Sequence, residues 1–315
     1  MFSLPFSLSR SIKIDHPIQD VFKMVGDFAT WKLWSPWLCQ EPECLVEISG
    51  SPLERGHKQK WNGKRIGAGE MSLIALKADQ LLSYELHISK PWKSKSDVSF
   101  KFVADGASTL LTWSMKGSVP ILLFFLRKMM ASFVGADYER GLLMLKEALE
   151  TGHVLSQVDF KGIVTRDSFH YYGVNRRCGL PQLGPSMEED FKKLKDLANI
   201  SKLPEPEFVC SVYHKFDVVG GSCEYTCGFA FKKAIEYDAH QGLHHGVMEP
   251  HQSIRADHKG AYRHLGNAWG AVYSCQRAQR KKLAKNTPAY EVYLNSPGTV
   301  PESELVTQIF LPVRA

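Results

Sequence analysis

Long apolar runs are missing from this chain of 315 residues. The longest, Val119 to Leu126, is followed at once by Arg127 and Lys128, and it is far shorter than the roughly 20 residues that cross a bilayer as a helix. The N-terminal stretch MFSLPFSLSRSIKID lacks the basic front and the sustained apolar core of a secretory signal. These absences exclude a transmembrane helix and predict a cytoplasmic protein without a membrane partner.

Cysteine is scarce and scattered. No pair of cysteines has CxxC spacing, and the seven residues lie at positions 39, 44, 178, 210, 223, 227 and 275. An odd number of unpaired positions is typical of reduced, buried thiols. The pattern therefore argues against a disulfide framework and against a zinc site.

One short stretch concentrates side chains that could bind a metal: Asp238, His240, His244, His245, His251 and His258. In a helix His240 and His244 would share a face, and Glu249 would add an oxygen ligand. Gly242 and Gly246 disfavour a helix there. A polar loop is the favoured interpretation, and we predict no metal and no other cofactor.

The net charge of +6 is the only indication of nucleic-acid binding. The densest basic stretch, QRAQRKKLAK at 276–285, is not accompanied by a helix-turn-helix pattern or by aromatic residues at regular intervals. It is typical of the solvated end of a helix. Direct binding of nucleic acid is therefore not expected.

Hydrophobic residues make up 44% of the chain and charged residues 23%, which is typical of a protein with well-buried cores. The length is that of two ordinary domains. A short polar joint at Glu150 to Ser156 separates two different patterns. We therefore predict domains at 1–152 and 158–315, both of the α+β class.

The first domain combines a helix, several alternating strands and a long closing helix. Asp15, followed by His16 and Pro17, predicts a helix start, and the helix is expected to end near Trp31. Asp105-Gly106 predicts a hairpin turn between two strands. An apolar stripe with helical spacing runs through Val134, Tyr138, Leu142, Leu145 and Leu149. We expect this helix to pack on an antiparallel sheet.

Three segments of this domain resemble the polyketide-cyclase and START-related (SRPBCC) helix-grip family: VFKMVGDFATWKLWSPW at 21–37, WNGKRIGAGEMS at 61–72 and DYERGLLMLKEALE at 137–150. The resemblance implies a cavity for an apolar small molecule between a curved sheet and the long helix. The abundant tryptophans would either line that cavity or pack the core, and packing is their commoner role. No residue of this domain is predicted to be catalytic.

The second domain is predicted to contain two copies of a strand-helix-strand-strand unit. The first copy consists of strand Val164 to Arg176, helix Ser186 to Ile200, and strands Phe208 to Phe216 and Glu224 to Phe231. The second consists of strand Gln252 to His258, helix Tyr262 to Leu283, and strands Tyr290 to Leu294 and Leu305 to Pro312. Ser186 and Glu189 predict a capping box. With both helices on one face, the opposite face is expected to form a groove.

Three segments of the second domain resemble the GyrI-like effector-binding domain: DHKGAYRHLGNAWGAVY at 257–273, YEVYLNSP at 290–297 and VPESELVTQIFLPV at 300–313. The chain departs from the family pattern at Ala261, Ser296 and Gln308. Gln308 stands where a glutamate is frequent, and a neutral side chain there would alter the charge preference of the site. The resemblance implies a small-molecule pocket.

By that resemblance Glu291 corresponds to the carboxylate at the floor of the family pocket. Tyr293 shares its strand face by alternation, whereas Tyr290 and Val292 point to the other face. The expected walls of the pocket are Tyr293, Trp269, Tyr225 and Phe310. A buried carboxylate attracts cations, and aromatic faces add cation–π attraction. The alternative is a structural carboxylate satisfied by an arginine or by backbone donors.

Three functions remain open from the sequence. The first is a small-molecule sensor or sequestering module for a cationic or aromatic ligand, acting in transcription regulation or a stress response. The second is a hydrolase that uses Glu291 as a general base on reactive small molecules. The third is a gyrase-inhibitor-like interaction protein.

Overall fold

The computed structural model describes residues 3–120, 126–200, 202–236 and 242–314. The chain divides into two compact units, 1–155 and 156–315. Part of the apolar run at 119–126, and the potential metal ligands Asp238 and His240, lie outside the described residues. Among the residues described, no helix combines the length and the apolarity needed to cross a membrane.

The first unit is an antiparallel sheet packed against helices. Its strands are β1 (Ser3–Ile14), β2 (Leu45–Ser49), β3 (Lys58–Asn62), β4 (Ala68–Lys77), β5 (Leu81–Lys90), β6 (Ser94–Asp105) and β7 (Ser108–Pro120), in the spatial order β1-β7-β6-β5-β4-β3-β2. Its helices are α1 (Ile18–Gly26), α2 (Trp31–Trp34) and α3 (Leu126–Thr151). The predicted turn at Asp105-Gly106 joins β6 to β7, where Asp105 pairs with Ser108.

The core of the first unit is dominated by aromatic rings beside α3. Trp113 stacks on Tyr138 of α3 at 3.8 Å between ring centroids, and Trp34 meets Trp113 edge-to-face at 5.7 Å. Trp31, Trp34 and Trp113 are all buried, whereas Trp92 is 60% exposed. The sequence left two roles open for the tryptophans, cavity lining and core packing. These three tryptophans pack the core.

Contrary to the sequence prediction, Asp15 is not the N-cap of the first helix. The residue before α1 is Pro17, which forms no side-chain cap, and the Asp15 carboxylate accepts a hydrogen bond from Ser108 at 2.9 Å. Asp15 lies too far before Ile18 to reach the first free N–H groups. The helix also ends at Gly26, before the predicted end near Trp31, and α2 begins separately at Trp31.

The second unit is a larger antiparallel sheet with two helices. Its strands are β8 (Ser156–Arg166), β9 (Phe169–Gly179), β10 (Phe208–Asp217), β11 (Ser222–Phe231), β12 (His244–Met248), β13 (His251–Gly260), β14 (Ala289–Tyr293) and β15 (Val306–Val313), in the order β12-β9-β11-β10-β14-β15-β13-β8. Its helices are α4 (Leu183–Ile200) and α5 (Gly266–Ala278). The predicted α+β class is confirmed, with antiparallel sheets in both units.

Two local predictions in this unit are corrected. The strand expected at 164–176 is divided between β8 and β9 by a break at Asp167 and Ser168. Helix α4 begins at Leu183, so Ser186 lies inside its first turn and cannot cap it. Pro185 falls within that first turn, a position that proline tolerates because the backbone N–H there has no partner within the helix.

The two faces of this sheet differ in what covers them. Helix α5 packs on one face, against side chains that include Ile254 and Ile309, and α4 packs on Val174 of the same face. The other face holds a separate aromatic cluster that includes Tyr290 and Phe310. Both helices therefore lie on the face toward which Ile309 points.

Candidate functional site

Glu291 lies near the middle of the eight-stranded sheet, on β14 between β10 and β15. Its register partners are Ser211 on β10 and Ile309 on β15. Only 2% of its surface is exposed. Because Ile309 contacts α5, Glu291 points to the face that carries the helices. Glu291 therefore does not point to the helix-free face, on which the groove was predicted, and Tyr290 and Val292 point there instead.

Three neutral donors hold the Glu291 carboxylate. The indole Nε1 of Trp269 donates to Oε1 at 2.6 Å, and the Tyr293 hydroxyl donates to Oε2 at 2.5 Å. The Tyr213 hydroxyl forms a third hydrogen bond with the carboxylate. The oxygen of Tyr293 also lies 3.1 Å from Oγ of Ser211. Helix α5 and strands β10 and β14 thus converge on one pair of oxygen atoms.

The protonation of this group is set by opposing effects. Burial raises the pKa of Glu291, and the hydrogen bonds from Tyr293, Trp269 and Tyr213 lower it, so that the pKa remains above its ordinary value. Burial, followed by the charge of Glu291, raises the pKa of Tyr293 and Tyr213 well above the usual value. Both phenols therefore remain neutral hydrogen-bond donors.

Aromatic rings surround the carboxylate. Tyr293 meets Phe191 of α4 at 5.4 Å and Tyr262 at 5.7 Å, and Trp269 meets Tyr213 at 5.5 Å between ring centroids. Each of these five rings is only partly buried, in contrast to Glu291. A dehydrated carboxylate lies beneath rings that reach the surface, which is an arrangement suited to a flat cation.

Arg255 and Arg263 of this unit form ion pairs with carboxylates other than Glu291. Arg255 pairs with Asp257 at 2.7 Å, and Arg263 pairs with Glu302 at 2.7 Å. Glu291 is held instead by an indole and two phenols. Among the described residues, none forms an ion pair with Glu291, and hydrogen bonds hold its carboxylate.

The structure brings two of the four predicted wall residues to Glu291. Trp269 and Tyr293 touch the carboxylate directly. Tyr225 points to the same face but is completely buried, and its hydroxyl donates to Asp190 at 2.8 Å. Phe310 lies on the opposite face, where it stacks on Tyr290 at 4.7 Å.

Three aromatic neighbours were missed by the sequence analysis. Tyr262 lies inside the segment 257–273 that resembles the GyrI-like family, so that segment offered a signal for it. Tyr213 and Phe191 lie in the first half of the unit, outside the three segments in which the sequence analysis found the resemblance. They reach the site through the pairing of β10 with β14 and the packing of α4, which no local pattern specifies.

Asp190 anchors α4 beside the site. It is completely buried, and it accepts hydrogen bonds from Tyr225 and from Arg176, whose guanidinium approaches to 2.7 Å. Arg176 also pairs with the exposed Glu189 at 3.1 Å. This network links α4 to β9 and β11, and it fixes the helix that carries Phe191.

The predicted candidate ligands His245, His251 and His258 each have a different partner. His245 stacks on Tyr172 at 4.4 Å and lies 3.1 Å from His170, whereas His251 lies 3.2 Å from the Tyr290 hydroxyl and His258 lies 3.0 Å from Ser156. Within the ranges that are described, histidine, cysteine and acidic side chains form no group of three or more that could hold a metal ion.

Comparison with protein families gives a match for each unit. Residues 5–150 match the family described as polyketide cyclase / dehydrase and lipid transport, and residues 162–314 match the GyrI-like small molecule binding domain. The chain therefore joins an SRPBCC-type domain to a GyrI-like small-molecule-binding domain, and both resemblances found in the sequence are confirmed. None of the curated proteins compared with the chain matches it.

Several solved structures are similar to parts of the chain. Protein MLL2253 from Mesorhizobium loti is 15% identical, with a TM-score of 0.37, over 46% of this chain and 96% of its own. SAV2435 bound to tetraphenylphosphonium is 11% identical, with a TM-score of 0.38, over 50% and 94%. EcmrR, in a complex with DNA, is 14% identical, with a TM-score of 0.41, over 61% and 68%.

Proposed function

We propose that the second unit binds flat organic cations at Glu291 and that the protein acts as a sensor or sequestering module for them. The observation that carries this proposal is the Glu291 carboxylate, which is 2% exposed and is held by three neutral donors. The family match of residues 162–314 supports small-molecule binding in general. The preference for a cation follows from the electrostatics of the site.

An ionised carboxylate removed from water is unfavourable unless a positive charge accompanies it. Trp269, Tyr293 and Tyr213 supply hydrogen bonds and no net charge. A bound cation would supply the missing charge, and a ring such as Tyr262 or Phe191 would add about 0.5–2 kcal/mol of cation–π attraction. A neutral ligand of the same shape would gain only the ring contacts.

We also propose that the site lies where two duplicated halves meet. The unit β9-α4-β10-β11 has the same element order as β13-α5-β14-β15. In the sheet, β9-β11-β10 is followed by β14-β15-β13, which is the mirror order expected of two halves related by a twofold axis. Glu291 belongs to a central strand, and each half contributes one helix to the rings around it.

The proposed compartment is the cytoplasm, because all seven cysteines are free thiols, as expected in a reducing environment. In a sensor of this kind the output passes through a partner, or the protein lowers the free concentration of its ligand by capture. A role in transcription regulation or in a stress response fits either route. For the first unit, the SRPBCC-type family match supports an apolar ligand.

A hydrolase is the second candidate, and one contact favours it. The Tyr293 hydroxyl bridges Glu291 and Ser211, so that a general base of raised pKa lies beside a phenol able to donate a proton. Incubation with styrene oxide, followed by measurement of the diol, tests this reaction. Diol formation that is lost in Glu291→Gln supports the hydrolase, and absence of diol with the wild-type protein argues against it.

The binding proposal is tested with two dyes of nearly the same shape, 10-methylacridinium and acridine, at mildly alkaline pH, where only the first is charged. We expect wild-type protein to prefer 10-methylacridinium. Glu291→Gln keeps the size of the side chain and removes its charge, and it should weaken binding of this cation by about 100-fold. Calorimetric or fluorescence titration measures both affinities.

The matched control is Glu224→Gln. Glu224 lies on β11, and its side chain points to the opposite face from Cys223 and Tyr225. This variant loses the same charge from the same unit and should bind 10-methylacridinium like the wild type. Equal affinity of the wild type for the two dyes, or an unchanged affinity in Glu291→Gln, would refute the proposal and favour the interaction protein.

A further inference from the structure

Two cysteines lie directly opposite each other on neighbouring strands of the second unit. Cys178 of β9 and Cys223 of β11 are register partners in an antiparallel pair. Directly opposed residues point to the same face and have Cα atoms about 4.5–5.5 Å apart. Disulfide-bonded cysteines have Cα atoms about 4.4–6.8 Å apart. The strand register therefore gives the two residues a Cα separation that is compatible with a disulfide.

Both side chains of this pair also lie in one hydrophobic cluster. Cys223 belongs to a buried cluster with Tyr225 and Cys227, and Cys178 packs against that cluster. The two thiols also interact electrostatically, since the charge of Cys178 contributes to raising the pKa of Cys223 after the larger effect of burial. Both observations place the two side chains in the same part of the core, in agreement with the strand register.

The position in the sheet allows the small adjustment that a bond requires. The next register pair, Ser222 with Gly179, is the last of the ladder between β9 and β11. Cys178 is partly exposed, whereas Cys223 is 1% exposed. One thiol is thus accessible to a solute, and the other lies behind it as a second nucleophile.

The other cysteines of β10 and β11, Cys210 and Cys227, have no cysteine as a register partner. Cys210 lies opposite Gly228, and Cys227 lies opposite Ser211. Cys210 and Cys227 also point to opposite faces of the sheet, because one belongs to the cluster around Tyr290 and the other to the cluster of Cys223. Within the described part of β9, β10 and β11, Cys178 and Cys223 are the only cysteines in register.

We propose that Cys178 and Cys223 form a reversible disulfide when the protein meets hydrogen peroxide. The Cys178 thiolate attacks one peroxide oxygen, the O–O bond breaks, and the leaving hydroxide takes up the proton that the thiol released, which gives a sulfenic acid and water. The Cys223 thiolate then attacks that sulfur, the S–O bond breaks, and the second hydroxide leaves as water with the proton that the Cys223 thiol released. The two sulfur atoms together lose two electrons, which reduce one peroxide to two waters.

Burial makes the second step dependent on pH. It raises the pKa of Cys223 to about 12, so that only a small fraction of this thiol is ionised near neutral pH. Because the thiolate is the nucleophile, closure of the bond by Cys223 should accelerate about tenfold per pH unit. The first attack comes from the accessible Cys178.

The bond would connect the strands behind the wall of the proposed pocket. The cluster that contains Cys223 also includes Leu183 and Met187 of α4 and the ring of Tyr213, which bonds to Glu291. Disulfide formation nevertheless depends only on the two thiols. It does not require that the second unit binds a cation, because it is measured in the absence of ligand.

The test is treatment of the full-length reduced protein with hydrogen peroxide, followed by N-ethylmaleimide and peptide mass spectrometry. Because Cys223 and Cys227 share one tryptic peptide, a second cleavage after Glu224 separates them. The expected product is a cross-linked peptide pair that contains Cys178 and Cys223, and dithiothreitol should restore both thiols. Cys178→Ser should abolish the cross-link, whereas Cys44→Ser should leave it unchanged.

The proposal is overturned if wild-type Cys178 proceeds to sulfinic acid while Cys223 remains available to maleimide, or if the cross-link joins Cys178 to Cys227. It is equally overturned if peroxide leaves both thiols intact at alkaline pH. Cys223→Ala serves as a second variant that removes the resolving thiol without introducing a buried hydroxyl. In this variant Cys178 should accumulate as sulfenic acid, detectable with dimedone.

Discussion

The Tyr293 hydroxyl donates to Oε2 of Glu291 at 2.5 Å across a single intervening residue of β14. Alternate side chains of a strand point the same way, so the two groups are neighbours on one face. Burial raises the pKa of Glu291, and this bond lowers it. The charge of the central carboxylate therefore depends on a phenol that the same strand supplies.

Replacement of Tyr293 by phenylalanine should destabilise the ionised form of Glu291. The variant loses a hydrogen bond to a charged group, which is worth about 1.5–3 kcal/mol, and the pKa of Glu291 should rise further. The pH at which binding of 10-methylacridinium reaches half its maximum should move upward. Dye titrations across a pH series measure this midpoint.

Tyr262→Phe is the matched control for that experiment. The Tyr262 ring contacts Tyr293, but its hydroxyl lies 3.5 Å from the backbone oxygen of Asn295 and does not bond to Glu291. The pH midpoint should stay at the wild-type value. A shift as large as that of Tyr293→Phe would mean that ring packing, and not the hydrogen bond, sets the protonation of the carboxylate.

The affinity of the site for a cation should depend on pH with a definite sign. Burial raises the pKa of Glu291 in the free protein, so acidification protonates it at a pH above its ordinary range. A cation favours the ionised form and must displace the proton. Below the raised pKa, affinity for 10-methylacridinium should fall about tenfold per pH unit, and above it affinity should be constant. The profile of Glu291→Gln should be flat, and an equally steep profile in that variant would contradict the assignment.

Asp190 should contribute much more to stability than its neighbour Glu189, although both bind Arg176. Asp190→Asn removes a completely buried charge from a side chain that also accepts a hydrogen bond from Tyr225. We expect the free energy of unfolding to fall by about 2 kcal/mol, because the Arg176 side chain is 35% exposed and remains partly solvated. Glu189→Gln should cost less than about 0.5 kcal/mol, since the Glu189 side chain is 70% exposed.

Urea unfolding followed by far-UV circular dichroism measures both variants, with the transition of the second unit analysed by itself because two-unit proteins need not unfold in one step. Equal losses for the two variants would show that the ion pair with Arg176, and not burial of Asp190 with Tyr225, stabilises α4.

The aromatic core of the first unit should be sensitive to truncation at Tyr138. Its ring stacks on Trp113 at 3.8 Å and is 1% exposed, so Tyr138→Ala should destabilise this unit by about 3–5 kcal/mol. Trp92→Ala, at a ring that is 60% exposed, should have an effect below about 0.5 kcal/mol. Thermal unfolding measures the stability of both variants. If Tyr138→Ala is as stable as the wild type, the core beside α3 is loosely packed.

Local sequence patterns predicted much of the second unit. The alternation of AYEVY correctly put Glu291 and Tyr293 on one face, and the spacing of Trp269 and Val272 correctly indicated the helix whose indole reaches the carboxylate. The predicted bounds of that helix, Tyr262 to Leu283, were too wide, since α5 begins at Gly266 and ends at Ala278. These features depend on residues a few positions apart, so a local sequence pattern is enough to predict them.

Long-range pairing could not be predicted in the same way, and Phe310 illustrates why. In the structure Glu291 lies opposite Ile309 on β15, which sends Phe310 to the face of Tyr290. A shift of one residue in this register would have reversed both assignments, and no pattern within either strand specifies it. The same limit applies to Tyr213, which reaches Glu291 only through the pairing of β10 with β14.

The sequence by itself determined that a carboxylate and a tyrosine share a strand face within an aromatic, GyrI-like segment, because a period of two residues is a local property. Only the tertiary structure decided that both helices cover this face, that the carboxylate is held by an indole and two phenols, and that Cys178 meets Cys223. Those contacts depend on strand register and helix packing, which are settled by burial of apolar surface across the whole unit.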